Sequence, residues 1–162
     1  MKFFYKIDTG GVVRLGSGMV EPKGFSPYTK GKEPKVLLDI LNKQKFEMGK
    51  SEKIKEINAA CAAAITGGFD SLGLGTQRRY KSEQIDQLNL IGLVTGGVSD
   101  YLKCATPGAT LVWTYEMHTT AQLKKVLNDG KKYKQGLLRK AGTLKSAVSQ
   151  ATTQADLDVI VW

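Results

Sequence analysis

The first third of the chain joins an alternating pattern to a polar, glycine-rich segment. Apolar side chains recur at alternate positions over residues 3–7, turn-forming residues follow at 8–11, and an extended pattern resumes at 12–15. This order predicts a β-hairpin. Residues 16–33 are rich in Gly, Pro, Lys and Ser, which predicts an arm or linker beyond the hairpin.

Helical spacing of apolar residues begins after Pro34, which suits the first turn of a helix. The charged stretch 43–50 ends that pattern, so a short helix is predicted. Ser51 is a good N-cap for a second helix, which we expect to end at Gly67. The apolar face of this second helix consists of Ile54, Ile57, Cys61, Ala64 and Ile65.

The middle of the chain is punctuated by glycines. Residues 69–74 and 76–80 fit two short strands, although an irregular loop suits the same glycines. Ser82 is the N-cap of the next predicted helix, which is interrupted at Gly96 and resumes around 98–102. The predicted apolar face of this helix is Ile85, Leu88, Ile91 and Val94.

The last third predicts one strand and one long helix. Residues 111–115 alternate like a strand, with His118 at its end, and Thr119 opens a capping box. The helix that follows extends to about residue 149, with a candidate break at 128–130, and Thr153 begins one more capped turn. A heptad seam is formed by Leu123, Leu127, Gly130, Lys134, Leu137, Ala141, Leu144, Val148 and Ala151. The pattern leaves open whether this seam packs within one chain or between copies.

These elements predict an α+β fold. A small domain of about three main helices with short strands and hairpins spans residues 51–162, and residues 1–50 precede it as a hairpin, basic arm and short helix. The 162 residues suit one main core. No apolar run approaches the roughly 20 residues of a membrane span, and Lys6 and Asp8 interrupt any signal peptide. We therefore expect a chain that starts in a cytoplasm and has no membrane partner.

The charge balance raises the question of a polyanionic partner. Lys and Arg number 24 against 15 Asp and Glu, for a formal net charge of +9. The basic residues of the predicted long helix are Lys124, Lys125, Lys131, Lys132, Lys134, Arg139, Lys140 and Lys145. Apart from Lys134, which with Gly130 is a weak point of the seam, they point all around the helix and away from the seam, which favours a solvated surface. Nucleic-acid binding is kept as the alternative function, with salt-sensitive binding as its signature.

No motif in the chain predicts catalysis. The triplet 49–51 resembles the end of a phosphate-binding loop, but Gln44 stands where that loop needs glycine. Cys61, Cys104 and His118 lack metal-ligand spacing, and GxSxG is absent. We predict a protein that is not an enzyme, with no catalytic residue, cofactor or metal. The two cysteines are interpreted as small apolar core residues in a reducing compartment.

The order of motifs over residues 51–162 carries a resemblance. A capped helix ends at Gly67, a glycine-rich segment leads to 77–80, Trp113 precedes the long helix, and Trp162 ends the chain. This layout resembles an uncharacterised C-terminal domain family of tailed-phage and prophage proteins, often encoded near tail-fibre and baseplate genes. The resemblance implies a non-enzymatic bacteriophage tail component that acts in tail-fibre or baseplate attachment or assembly. It also implies a host-cytoplasmic stage before incorporation into the virion tail.

Two apolar segments are the candidate contacts with other tail, baseplate or tail-fibre proteins, and a homo-oligomer also stays open. Phe25, Pro27 and Tyr28 lie in the predicted arm, and Ile160 and Trp162 lie in the apolar C-terminus. For each segment the alternative interpretation is structural, because the arm can fold back over the core and the terminus can complete it. Trp113, on a predicted strand, is interpreted as a core residue.

Overall fold

The protein forms four α-helices and seven β-strands, as seen in a computed structural model that describes residues 1–162. In chain order the elements are β1 (Lys2–Ile7), β2 (Val13–Gly18), β3 (Ser26–Tyr28), α1 (Lys35–Thr66), β4 (Phe69–Ser71), β5 (Arg78–Tyr80), α2 (Gln84–Gly96), β6 (Asp100–Ala105), β7 (Trp113–His118), α3 (Thr120–Gln150) and α4 (Gln154–Asp158). The predicted α+β class is confirmed. None of the helices combines the length and apolarity that crossing a membrane requires.

The N-terminal sheet has three antiparallel strands in the order β2-β1-β3. Its β1–β2 hairpin confirms the prediction for residues 3–15. The prediction of an arm over 16–33 is wrong in part, since residues 26–28 pair with the second edge of β1. The ring of Tyr28 lies 5.8 Å from that of Phe3 and 6.1 Å from that of Tyr5. A three-residue strand is too short to show an alternating pattern, so composition alone suggested a linker.

Helix α1 is continuous over 32 residues, whereas the sequence predicted two helices. The charged stretch 43–50 stays helical because Lys, Gln and Glu are good helix formers and because Phe46 packs against the core. Ser51 is therefore an interior residue of α1 and not an N-cap. The predicted boundary between regions 1–50 and 51–162 falls inside this helix.

Helices α1 and α3 pack as an antiparallel pair. Lys50 Nζ lies 3.4 Å from the carbonyl of Ser149, and Lys145 Nζ lies 3.3 Å from Asn58 Oδ1. The first core cluster consists of Ile57, Cys61, Ala141, Val148, Ala151, Leu157 and Ile160. The second half of the predicted heptad seam thus packs within the chain, and α3 runs through 128–130 without a break.

The second sheet has four antiparallel strands in the order β4-β5-β6-β7. Strands β4 and β5 confirm the short strands within 69–80, and β7 confirms the strand expected near 111–115. The predicted helical continuation around 98–102 is wrong, because Gly97 ends α2 in the left-handed region at φ 70° and β6 follows. The N-cap of α2 is Glu83 rather than Ser82.

The inner face of this sheet packs on α2 and α3. The second core cluster consists of Phe69, Tyr80, Leu90, Cys104, Leu123 and Val126. Helix α3 therefore contributes to both clusters, its first half under the sheet and its second half against α1. The capped turns predicted at Thr119 and Thr153 are both confirmed as capping boxes.

Gly130 lies at a position of α3 where a larger side chain should lower the stability of the fold. A Cβ at this position would lie 2.8 Å from Cζ of the Phe69 ring. We expect Gly130→Ala to destabilise the fold by about 1–3 kcal/mol, because overpacking exceeds the gain in helix propensity. Gly136 has open space around it, so Gly136→Ala should stabilise by up to about 1 kcal/mol. Urea unfolding of the two variants checks the pair, and equal effects would contradict the packing argument.

Asp156 makes stability depend on pH at acidic values. Backbone N–H groups of Thr152 and Thr153 donate to its carboxylate and lower its pKa to about 2. Since the folded state holds this pKa below the unfolded value, the stabilisation is complete above about pH 4 and is lost as pH falls through about 2. We expect Asp156→Asn to reduce the dependence of the free energy of unfolding on pH in that window, as measured by urea unfolding. Asp39→Asn, at an exposed carboxylate without hydrogen bonds, should leave the profile unchanged.

Candidate functional site

The outer face of the four-stranded sheet presents aromatic and basic side chains. Strand register places Lys103 opposite Tyr115, Tyr101 opposite Met117 and Ala105 opposite Trp113. Alternation places all of these side chains on the face opposite Tyr80 and Cys104. Lys81 follows β5 and continues the same face. We call the group the aromatic–lysine face, which consists of Lys81, Tyr101, Lys103, Trp113, Tyr115 and Met117.

The lysines of this face lie over its rings. Lys81 Nζ is 5.3 Å from the ring centroid of Trp113, and Lys103 Nζ is 5.6 Å from that of Tyr115. Tyr101 and Tyr115 are 56% and 66% exposed. Neither lysine forms an ion pair, whereas Asp70 at the far edge of the sheet pairs with Arg79. The face is therefore aromatic, accessible and positively charged.

A cleft borders the aromatic–lysine face where α2 passes beside β6. Its volume is about 470 Å³. Tyr101, Lys103 and Tyr115 line the sheet side, and Leu88 and Asn89 line the helix side. The cleft extends the accessible face into a recess whose helix side carries the Asn89 amide and the Asp86 carboxylate.

Helix α2 presents a second exposed apolar surface. Ile85, Leu88 and Ile91 are 60%, 57% and 45% exposed, and we call them the α2 stripe. The prediction that these residues face the core is wrong. Val94, the fourth residue of the predicted face, does pack against the second core cluster, together with Leu90 and Leu93. Helix α2 is apolar on two sides, and its packing selects mainly the side that the periodicity did not indicate.

A buried tyrosine–histidine pair lies under the inner face. His118 Nδ1 donates to the carbonyl of Glu116 at 2.7 Å, and Tyr80 Oη lies 2.9 Å from His118 Nε2. With Nδ1 as the donor to this carbonyl, Nε2 is the ring nitrogen that accepts the hydrogen bond from the Tyr80 hydroxyl. Burial raises the pKa of Tyr80, which keeps the phenol protonated as the donor. The pair links β5 to the end of β7 within the core.

The cysteines are free and buried, as the sequence predicted for core residues. Burial, with Glu116 nearby, raises the pKa of the Cys104 thiol to about 11. Arg78 Nε lies 3.2 Å from a carboxylate oxygen of Glu116 and offsets that charge. No group of three or more His, Cys, Asp or Glu side chains is placed to hold a metal ion.

The predicted contact residues lie in two different parts of the fold. Pro27 is exposed on edge strand β3, and Phe25 and Tyr28 are half-buried beside it. Ile160 is 7% exposed within the first core cluster, and Trp162 packs against that cluster with Lys140 Nζ 4.5 Å from its ring. The alternative interpretation, that the C-terminus completes the core of its own domain, therefore describes Ile160 and Trp162.

Sequence reasoning missed the aromatic–lysine face. Trp113 was interpreted as core, but it lies half-buried on the outer face and belongs to neither core cluster. The alternation of Tyr101, Lys103 and Ala105 was the available signal for a strand. Interpreting residues 98–102 as a helical continuation hid the pairing of β6 with β7, which places Lys103 opposite Tyr115.

These features define a small α+β domain in which an antiparallel helix pair supports a four-stranded sheet with an uncovered aromatic face. Residues 48–161 match the model of a family described as a domain of unknown function, DUF4376. The match covers more than two thirds of the chain, so the protein belongs to the DUF4376 family. No curated protein and no solved structure shows significant similarity to it.

The contribution of the Tyr80–His118 hydrogen bond to the free energy of unfolding should be measurable. Tyr80→Phe keeps the ring but leaves buried His118 Nε2 without its donor, which we expect to cost about 1–3 kcal/mol. Tyr133 is 40% exposed and makes no hydrogen bond through its hydroxyl, so Tyr133→Phe should change stability by less than about 0.5 kcal/mol. Chemical denaturation of both variants at neutral pH checks this difference. Equal losses would show that the buried hydrogen bond adds nothing.

Proposed function

We propose that this protein is a non-enzymatic component of a bacteriophage tail that acts in tail-fibre or baseplate attachment or assembly through protein–protein contacts. The phage setting rests on the resemblance of residues 51–162 to a domain family of tailed-phage and prophage proteins. The structural observation that carries the docking role is the α2 stripe. In this proposal the partners of the protein are other tail, baseplate or tail-fibre proteins, which it first binds in the host cytoplasm.

The α2 stripe has the chemistry of an interface core. Ile85, Leu88 and Ile91 follow one another at three-residue steps, so they lie along one side of the helix. The core of a protein interface is apolar and depleted in charge, and α2 carries no charged side chain between Asp86 and its end. Burying three half-exposed aliphatic side chains contributes on the order of 3 kcal/mol. The stripe therefore supplies the centre of a contact but needs a surrounding rim.

The N-terminal sheet supplies a second candidate contact. Strands β2 and β3 are its two edges, and Pro27 blocks one backbone donor on β3. An edge strand offers unpaired backbone groups to a neighbouring chain. In this proposal the domain docks through α2 while residues 1–35 add a strand or a hydrophobic contact to a neighbouring subunit.

Particle composition tests the proposal. Phages produced with the intact protein are purified, and its copies are counted against a major tail protein by quantitative mass spectrometry. We expect a fixed small copy number for a tail part. For an assembly factor, we expect no copies but defective tail fibres or baseplates when the gene is deleted. Normal tails without the gene, together with no copies in the particle, would refute the tail function.

A pair of variants tests the contact surface. Ile85→Gln with Leu88→Gln removes two side chains of the α2 stripe, and Val36→Gln with Leu138→Gln removes two apolar side chains of similar exposure elsewhere. We expect the α2 variant to lose incorporation or assembly activity while the control retains it. Circular dichroism confirms that both variants fold. Full activity of the α2 variant would contradict the role of the stripe.

A further inference from the structure

We propose that the aromatic–lysine face binds single-stranded nucleic acid, with bases stacked on Tyr115 and Trp113 and the phosphate backbone held by Lys81 and Lys103. This surface is distinct in chemistry from the apolar α2 stripe. The proposed tail function requires only protein contacts, so nucleic acid is an additional ligand.

The spacing of the rings suits consecutive bases. Trp113 and Tyr115 are two residues apart on β7 and share one face, so their attachment points lie about 7 Å apart. That distance is about twice the 3.4 Å rise per nucleotide of a duplex strand. An extended single strand spans it when its bases are unstacked. Bases of any sequence stack on aromatic side chains because every base has a π face.

The charge of the face selects an anion. Lys81 and Lys103 form no ion pair, and Asp70, on the β4 edge of the same face, is paired with Arg79. Asp86, the one carboxylate that lines the adjoining cleft, accepts a hydrogen bond from the backbone N–H of Glu83. Both Nζ groups now lie over the rings of Trp113 and Tyr115. A base that stacks on a ring replaces the ammonium there, and the flexible lysine stem lets that group move to the adjacent phosphate.

The cleft beside α2 completes the surface. Tyr101 and Tyr115 line it opposite Leu88, and the Asn89 amide offers both a donor and an acceptor to a base edge. An unpaired base can enter such a recess, whereas a base within a duplex is covered on both faces by its neighbours. The geometry therefore favours single strands over duplexes.

The basic helix α3, which the sequence offered as the nucleic-acid surface, has fewer rings on which bases could stack. Some of its lysines are paired, such as Lys125 with Asp129, whereas others form no ion pair. The only aromatic side chain of α3 is Tyr133, which is 40% exposed. The aromatic–lysine face instead places the exposed rings of Tyr101 and Tyr115 beside two lysines on one surface.

Tryptophan fluorescence provides the test. In full-length protein carrying Trp162→Phe, Trp113 is the sole tryptophan, and its emission is followed during titration with an oligothymidylate of about 12 nucleotides, within the site sizes typical of such surfaces. We expect quenching on binding and an affinity that falls as the salt concentration rises. A duplex of the same length should bind more weakly.

Three variants in the same background locate the contact. Tyr115→Thr removes one stacking ring and should weaken binding at least about fivefold. Lys81→Gln with Lys103→Gln should reduce the slope of log affinity against log salt by about 1.4, because each phosphate contact on a single strand contributes about 0.7. The control Lys43→Gln with Lys45→Gln removes the same charge from exposed positions on α1 and should leave the slope unchanged.

Four results would contradict the proposal. The oligothymidylate could fail to bind at low salt, or the duplex could bind with equal affinity. Equally, the two lysine variants could show the same reduction in salt slope, or Tyr115→Thr could keep full affinity. Thermal unfolding followed by circular dichroism establishes that each variant is folded before its affinity is compared.

Discussion

The fold depends on the close packing of α1 against α3. Small side chains meet there, and Cys61 Sγ lies 3.8 Å from the carbonyl of Leu137, with Ala141 buried in the same cluster. Small residues let two helix backbones approach, so the larger apolar residues on either side interdigitate. The other half of α3 buries Leu123 and Val126 beneath the sheet. One helix thereby joins two hydrophobic clusters, and the position of the sheet follows from that of the helix pair.

This arrangement also determines which surfaces stay uncovered. Helices α2 and α3 supply the core on the inner side of the sheet, so the outer side keeps Tyr101 and Tyr115 accessible. Helix α2 is apolar around most of its circumference but buries only one side. The protein therefore carries an apolar helical surface and a basic aromatic surface next to each other, separated by the cleft that Leu88 and Asn89 line. The first suits a protein partner and the second an anionic strand.

The sequence predicted what is determined locally. The capping boxes at Thr119 and Thr153 involve residues three apart, so short-range pattern identified both. Features set by long-range contact were missed. The continuity of α1 depends on packing against α3, and the β6 strand depends on pairing with β7. The core-facing side of α2 was misassigned because both sides are apolar. The candidate site was the least predictable part, because Lys103 lies opposite Tyr115 only when the two strands pair in this register.

Helix α1 is shared by two regions of the molecule. Near its start, Gln44 Nε2 lies 3.5 Å from the carbonyl of Gly11 in the N-terminal hairpin turn, and further along Ile57 belongs to the first core cluster. An α-helix turns by about 100° with each residue. One residue inserted between these two contacts would therefore swing the N-terminal sheet to another side of the domain. The length of this segment thus fixes the angle between the two regions, whatever the identity of its exposed residues.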